Sequence, residues 1–218
     1  MHKKTILDDG SYPYLVDGAR LVGDCGIPSL MDLKNTQIPT SLIPFSKAKN
    51  RRLRVRRGYV HFYEHDKYFL NVLTSTTRYL DILKLYDGVI TPDCSMVRGR
   101  ARCIQQVNTY FNRAVGFYLQ KNGIPVIPNI RWSDENSFDF CFLGVPLHSI
   151  VSVSTHGCIH SKKEKAFFIL GLETMLKFIK PSAVIVHGHM PKEVFDRFIG
   201  SCPFYRFPSL FEQTHSGR

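Results

Sequence analysis

The sequence predicts an α/β fold on a mainly parallel sheet, and two observations carry that prediction. Short apolar runs alternate with longer stretches whose apolar residues recur every three or four positions, as strands alternating with amphipathic helices do. The central stretch, Asp87 to Trp132, holds a complete strand–helix–strand unit with short joins, the βαβ arrangement that sets two strands parallel. Such a sheet can close into a small, irregular barrel or stay open, and the barrel-like form is the expectation. One α/β domain is expected over residues 45–210, with an irregular N-terminal arm over 1–44 and a flexible tail over 211–218.

The arm is rich in turn formers, among them Asp9-Gly10, Asp17-Gly18 and Gly26-Ile27-Pro28. Tyr12, Tyr14, Leu15, Ile27, Leu30 and Leu33 are its candidate anchors onto the domain. The segment Ser46 to Gly58, SKAKNRRLRVRRG, is strongly basic. Arg52, Arg54 and Arg56 alternate with Leu53 and Val55, so an extended backbone projects three guanidiniums from one face. Guanidinium suits phosphate; a solvated charged loop is the plainer reading.

Tyr59 to Tyr63 reads as a strand, with Glu64, His65 and Asp66 beyond it, and a helix is expected over 69–86. Val89 and Ile90 form a strand that stops at Thr91-Pro92-Asp93, because proline cannot donate to a central ladder. The helix from Cys103 to Lys121 carries Ile104, Val107, Phe111, Val115 and Leu119 on one face, and Asn122-Gly123 closes it. Ile124 to Ile130 is the paired strand and ends in Arg131-Trp132. Phe138 to Val145 alternates aromatic with polar residues. Ile150 to Ser154 is a β-branched strand, and Lys163 to Ile179 a helix stopped by Pro181. Ala183 to Val186 is a strand leading into His187-Gly188-His189. A short helix over Pro191 to Ile199 and a last strand over Phe204 to Phe207 complete the order.

Bulk composition narrows the class. With 44% hydrophobic and 22% charged residues, the 218-residue chain is globular. No apolar run approaches the ~20 residues that span a bilayer, so no membrane association is expected. The start, MHKKTILDDGS, lacks the apolar centre of a signal peptide, and the six cysteines show no CxxC spacing. Reduced thiols in the cytoplasm are the expectation. A net charge of +11 attracts polyanions, which makes nucleic acid the expected partner; solubility is the bland alternative.

Aligning the strands by their ends exposes a pattern. Each finishes in polar residues: Glu64 and Asp66; Asp93 and Ser95; Asn129 and Arg131; Ser154, Thr155 and His156; His187 and His189. Ligands of parallel sheets bind at those carboxyl ends, although Asp and Ser there also serve as helix caps. Asp93 is the candidate catalytic carboxylate, and His156 and His187 the candidate acid/base pair. Ser95, Asn129, Arg131, Trp132 and Thr155 are candidate substrate contacts, together with Arg52, Arg54 and Arg56. Arg131 suits a phosphate or carboxylate, and Trp132 a stacked ring. Asn108, Asn112 and Arg113 form a polar stripe on the central helix, facing either the site or water.

His156, Cys158, His160, His187 and His189 are zinc-ligand types, but their spacing fits no familiar structural zinc site, so no metal is assigned and the cofactor stays unknown. His187-Gly188-His189 with Tyr118 is superficially similar to rolling-circle nickases. The glycine between the histidines and the place of Tyr118 in an apolar stripe argue against that.

TPDCS, QQVNTYFNRAVGFYLQKNG, IPVIPNIRW, SFDFCFLGVP and SIVSVSTHG, in that order, resemble a protein family frequent in phages and mobile elements, the domain-of-unknown-function family number forty-four seventeen. The likeness runs from roughly Pro39 to Phe207 and implies no established reaction. Residues and charge together point to an enzyme acting on nucleic acid or nucleotides, by hydrolysis or base modification. The alternative is a non-catalytic nucleic-acid-binding or host-interaction protein.

Overall fold

The computed structural model describes residues 12–32, 36–50 and 57–215. Arg52, Arg54, Arg56 and the arm anchor Leu33 lie outside the described residues. The chain opens with a 3-10 turn at Pro13–Leu15 and a small antiparallel pair, β1 (Leu21–Val22) and β2 (Ile27–Pro28). Leu15, Ile27 and Leu30 are buried, so this segment is anchored by its apolar residues.

The parallel strands follow. β3 (Leu42–Pro44) leads through α1 (Phe45–Ala48) to β4 (Tyr59–His61). Then come α2 (Leu70–Thr74), α3 (Leu80–Leu83), β5 (Gly88–Ile90), α4 (Arg102–Lys121) and β6 (Val126–Ile127). The second half holds β7 (Ile150–Ser154), α5 (Lys162–Ile179), β8 (Ala183–His187), α6 (Lys192–Phe195), β9 (Phe204–Phe207) and α7 (Leu210–His215). β3, β4, β5 and β6 form one parallel sheet and β7, β8 and β9 another, each strand beside its predecessor. A single parallel bridge, Asn129 to Ser152, spans the seam between them.

Sequential order is the winding of a barrel, and the sheet does curl. β4 and β8 stand four strands apart, roughly 19 Å on a flat sheet at the usual strand spacing. Yet the Tyr63 ring beyond β4 stacks on His187 of β8 with centroids 4.4 Å apart. All seven strands feed one inner apolar cluster: Leu42, Tyr59, Ile90, Ile127, Ile150, Ile185 and Phe207. No ladder joins β9 to β3 among the described residues, so the barrel does not close.

Alternation along the strands sends the other residues outward. Val60, Phe62, Val89 and Val126 meet Ala114, Val115 and Leu119 of α4. Val151, Val153, Val184 and Val186 meet Phe168, Leu172, Met175 and Ile179 of α5. α5 starts with a full capping box between Ser161 and Glu164, which is why its first turn is sharply defined.

One sequence expectation changes. The helix read over 69–86 is broken into α2, a 3-10 turn at Thr76–Tyr79 and α3. Ser75 leaves helical geometry at φ −148°, and Thr76 turns its hydroxyl back to the Val72 carbonyl at 2.6 Å. Ser and Thr compete for backbone partners in this way. Residues 138–144 form consecutive turns, and the buried Arg113 gathers the Cys141 and Leu143 carbonyls there at 2.9 and 3.0 Å.

Among the described residues no helix is long and apolar enough to cross a membrane. None of the six cysteines is in a disulfide; Cys94 and Cys141 are buried, Cys103 is exposed, and the other three are half-buried.

Candidate functional site

The inward face of the strands changes character from bottom to top. β4 runs Tyr59, His61, Tyr63; β6 runs Ile127, Asn129, Arg131; β7 runs Ile150, Ser152, Ser154; β8 runs Ile185, His187. Every second residue points inward, so each strand exchanges an apolar side chain for a polar one toward its carboxyl end. The polar groups therefore meet in one layer.

Asp93 sits at its centre, 9% exposed. Pro92 stops β5 one residue earlier and releases the chain to turn Asp93 across the layer. Asn129 donates to its Oδ1 at 2.8 Å and Arg131 to its Oδ2 at 2.9 Å. Burial raises the carboxyl above its ordinary value, against the opposing pull of Arg131 and then Asn129. Arg131 is in turn held more firmly protonated by Asp93. A buried carboxylate with two donors is stable as an ion, and removing either donor exposes the cost of burying it.

Beside it, the Tyr63 hydroxyl lies 2.6 Å from Ser152 Oγ and donates to Asn129 Oδ1 at 3.1 Å. Its ring stacks on His187 at 15°, and the His61 ring lies 4.9 Å from His187 on another side. Burial depresses both imidazoles, His61 well below its usual value and His187 to about 4, so both are neutral near neutral pH. Burial likewise pushes the Tyr63 phenol well up. Ser154, paired with His187 in the ladder, holds its hydroxyl 3.2 Å from His187 Nδ1.

The layer rests on α4. Asn112 donates to the Pro92 and Asn129 carbonyls at 2.6 and 3.1 Å and accepts from Thr91 at 2.9 Å. Arg113, 1% exposed, donates to Asn112 and to the Asn129 carbonyl. The polar stripe of α4 therefore faces inward and fixes the backbone on which Asp93 and Asn129 stand. Asn108 donates to the Ser95 carbonyl at 2.6 Å.

A cleft of about 320 Å³ opens next to this layer, between the loops after β5, β6 and β7 and the start of α5. Arg131 and Ser154 reach it from the polar layer, and Trp132, Phe167 and Arg98 line its wall.

The remaining candidates are placed as follows. His156 is exposed, its N–H donating to Ser154 Oγ at 3.2 Å. Ser95 stands one step out, donating to Asp66 at 2.9 Å. Thr155 turns away from the interior and donates to the His189 carbonyl at 2.6 Å. Trp132 packs against Phe168 on α5, over Gly171, with its indole N–H on the Phe167 carbonyl at 3.3 Å. Tyr118 packs with Tyr14 in the outer cluster, remote in kind from the inward His187. Among the described residues no three His, Cys, Asp or Glu side chains are disposed to hold a metal.

His61, Tyr63 and Ser152 were missed by reading strand ends alone. Their signal was the two-residue alternation itself: HFY, NIR and SVS each place polar groups at inward positions.

Two curated phage proteins resemble the chain. The Gene 1 protein of Mycobacterium phage L5 is 32% identical over 161 residues, covering 73% of this chain and 70% of its own length. The Gene 1 protein of Mycobacterium phage D29 is 32% identical over 156 residues, covering 71% of this chain and 58% of its own. No solved structure matches. The family model described as Domain of unknown function (DUF4417) matches residues 19–205, nearly the whole described chain, and the protein belongs to that family.

Proposed function

We propose that the protein is an enzyme acting on nucleic acid or nucleotides, with its chemistry at the carboxyl ends of the parallel strands. The observation that supports this most is the polar layer of Asp93, Asn129, Ser154 and His187, with the half-buried Arg131 and Tyr63, beside an open cleft. An ordinary core has no use for so many polar groups at one end, since apolar side chains of similar shape stabilise as well or better.

Each group has a role that its surroundings suit. Asp93, its carboxyl raised by burial, is the acid or base of the reaction. Arg131 steadies the carboxylate and can face an anionic substrate. His187 is too weak a base to carry a proton at neutral pH, so it orients the Ser154 hydroxyl as an acceptor. The exposed His156 is the other candidate acid or base. The net charge of +11 and the basic segment around Arg52, Arg54 and Arg56 bring the polyanion to the surface. Hydrolysis and base modification both fit this arrangement.

The test is turnover. Wild type and Asp93→Ala are incubated with DNA, RNA and a nucleotide panel, with products read by mass spectrometry. Loss of an acid–base group lowers the rate by roughly 10²–10⁴-fold. If wild type alters no substrate while still binding nucleic acid with a steep salt dependence, the protein is a binding module. Equal turnover by both forms removes Asp93 from the chemistry. Replacing Arg52, Arg54 and Arg56 together flattens the salt dependence if they contact phosphates.

A further inference from the structure

We infer that the cleft beside Arg131 receives a single nucleotide unit, its ring against the Trp132–Phe167 wall and its phosphate between Arg98 and Arg131. This rests on the reading of the protein as nucleic-acid- or nucleotide-directed and names what occupies its cavity. The lining divides into two parts. Trp132 and Phe167 give an aromatic wall, and Trp132 is braced from behind, because Gly171 leaves room for the indole where any Cβ would stand 2.1 Å from its nitrogen. Ser133 and Ser154 supply hydroxyls at the edge of the cleft, the few polar groups that orient a ring within an apolar pocket.

The cationic part is separate. Arg98 is exposed, rests its guanidinium 4.7 Å from the Phe167 ring centre, and has no carboxylate within ion-pair distance among the described residues. Arg131 approaches from the opposite loop, pinned through one amino group to Asp93. Glu164 also lines the cleft; its carboxylate accepts the Ser161 N–H at 2.8 Å and, with no ion-pair contact, still feels the charge of Arg98. A planar ring joined to an anion satisfies both parts at once. A neutral sugar lacks the anion, and an acidic peptide without an aromatic side chain leaves the aromatic wall bare.

Trp132 is the only tryptophan of the chain, so its emission reports the cleft directly. Wild type is titrated with adenosine and uridine 5′-monophosphates, the matching nucleosides, inorganic phosphate, and 5′-phosphorylated single-stranded hexanucleotides of DNA and RNA. Equilibrium dialysis with labelled ligand runs in parallel, so that a silent chromophore does not mask binding. Saturable binding is expected for the nucleotide unit, at least tenfold tighter than for nucleoside or phosphate alone. Binding by mononucleotides marks a free nucleotide as ligand, and binding by hexanucleotides alone marks a strand end. Arg98→Ala should weaken nucleotide binding at least tenfold and leave nucleoside binding unchanged, and Phe167→Leu should weaken both. No saturable binding of any nucleotide or hexanucleotide, or an unchanged affinity in Arg98→Ala, overturns the assignment. Turnover lost in Asp93→Ala but without nucleotide in the cleft would sink this inference and leave the enzyme reading standing. Cleft binding without turnover would do the reverse.

Discussion

The lower and upper halves of the strand interior are made by the same strands and held together by different forces. Below, Tyr59, Ile90, Ile127, Ile150 and Ile185 fill space with apolar surface. Two residues further along, His61, Asn129, Ser152 and His187 replace them with hydrogen bonds and ring stacking. In the lower half a lost methylene costs its transfer free energy and the cavity left behind, and strands no polar group. The upper half is a linked network in which one removed partner strands another buried polar group. Among the described residues every buried side-chain nitrogen and oxygen has a partner, so the network has no slack.

Arg131→Ala should break that contrast most severely. It leaves Asp93 buried without its counter-charge and should cost roughly 3–5 kcal/mol at neutral pH, measured by urea unfolding. The loss should shrink on acidification. A carboxyl raised in the folded state binds its proton there first, so the penalty fades as pH falls through the raised value.

The next effect in size is the pH dependence of the wild type. His187 is held near 4 and His61 well below its usual value, so the unfolded chain binds protons more readily than the folded one. Their contribution is complete above about pH 6.5, the unperturbed imidazole value, and is lost as pH falls from there toward 4. Unfolding followed across that window should show a loss on the order of a few kcal/mol. His187→Phe keeps a ring on Tyr63 and should flatten the curve.

Tyr63→Phe should cost about 1–2 kcal/mol, since it removes the hydroxyl from Ser152 and Asn129 but keeps the stack. Ile185→Val, in the lower half, should cost about 0.5–1.5 kcal/mol, with no pH dependence. A pH-dependent Ile185→Val or a neutral Tyr63→Phe would blur the division between the halves.

Much of this was legible in the residues. The VITPD stop, the apolar stripe from Cys103 to Lys121 and the Pro181 stop fix β5, α4 and the end of α5 nearly to the residue, because turn chemistry and periodicity are local. The strand-end rule picked out Asp93, Asn129, Arg131 and His187, which the fold brings into one layer. It also picked Thr155, whose position in the two-residue alternation turns it away from that layer. The contacts of His61 and Tyr63 with His187 depend on how far the sheet curls, which no local pattern encodes. The turns over residues 138–144 likewise present carbonyls to Arg113, 25 or more positions earlier in the chain.

The most direct measurement compares Asp93→Asn with Ile185→Val, each checked for folding by its unfolding midpoint, in turnover of the nucleic-acid or nucleotide substrate that the proposed function requires. The account predicts a loss of roughly 100-fold or more for Asp93→Asn and a rate within a few-fold of wild type for Ile185→Val. Equal rates in the two variants, or turnover that follows unfolding midpoint alone, would contradict it.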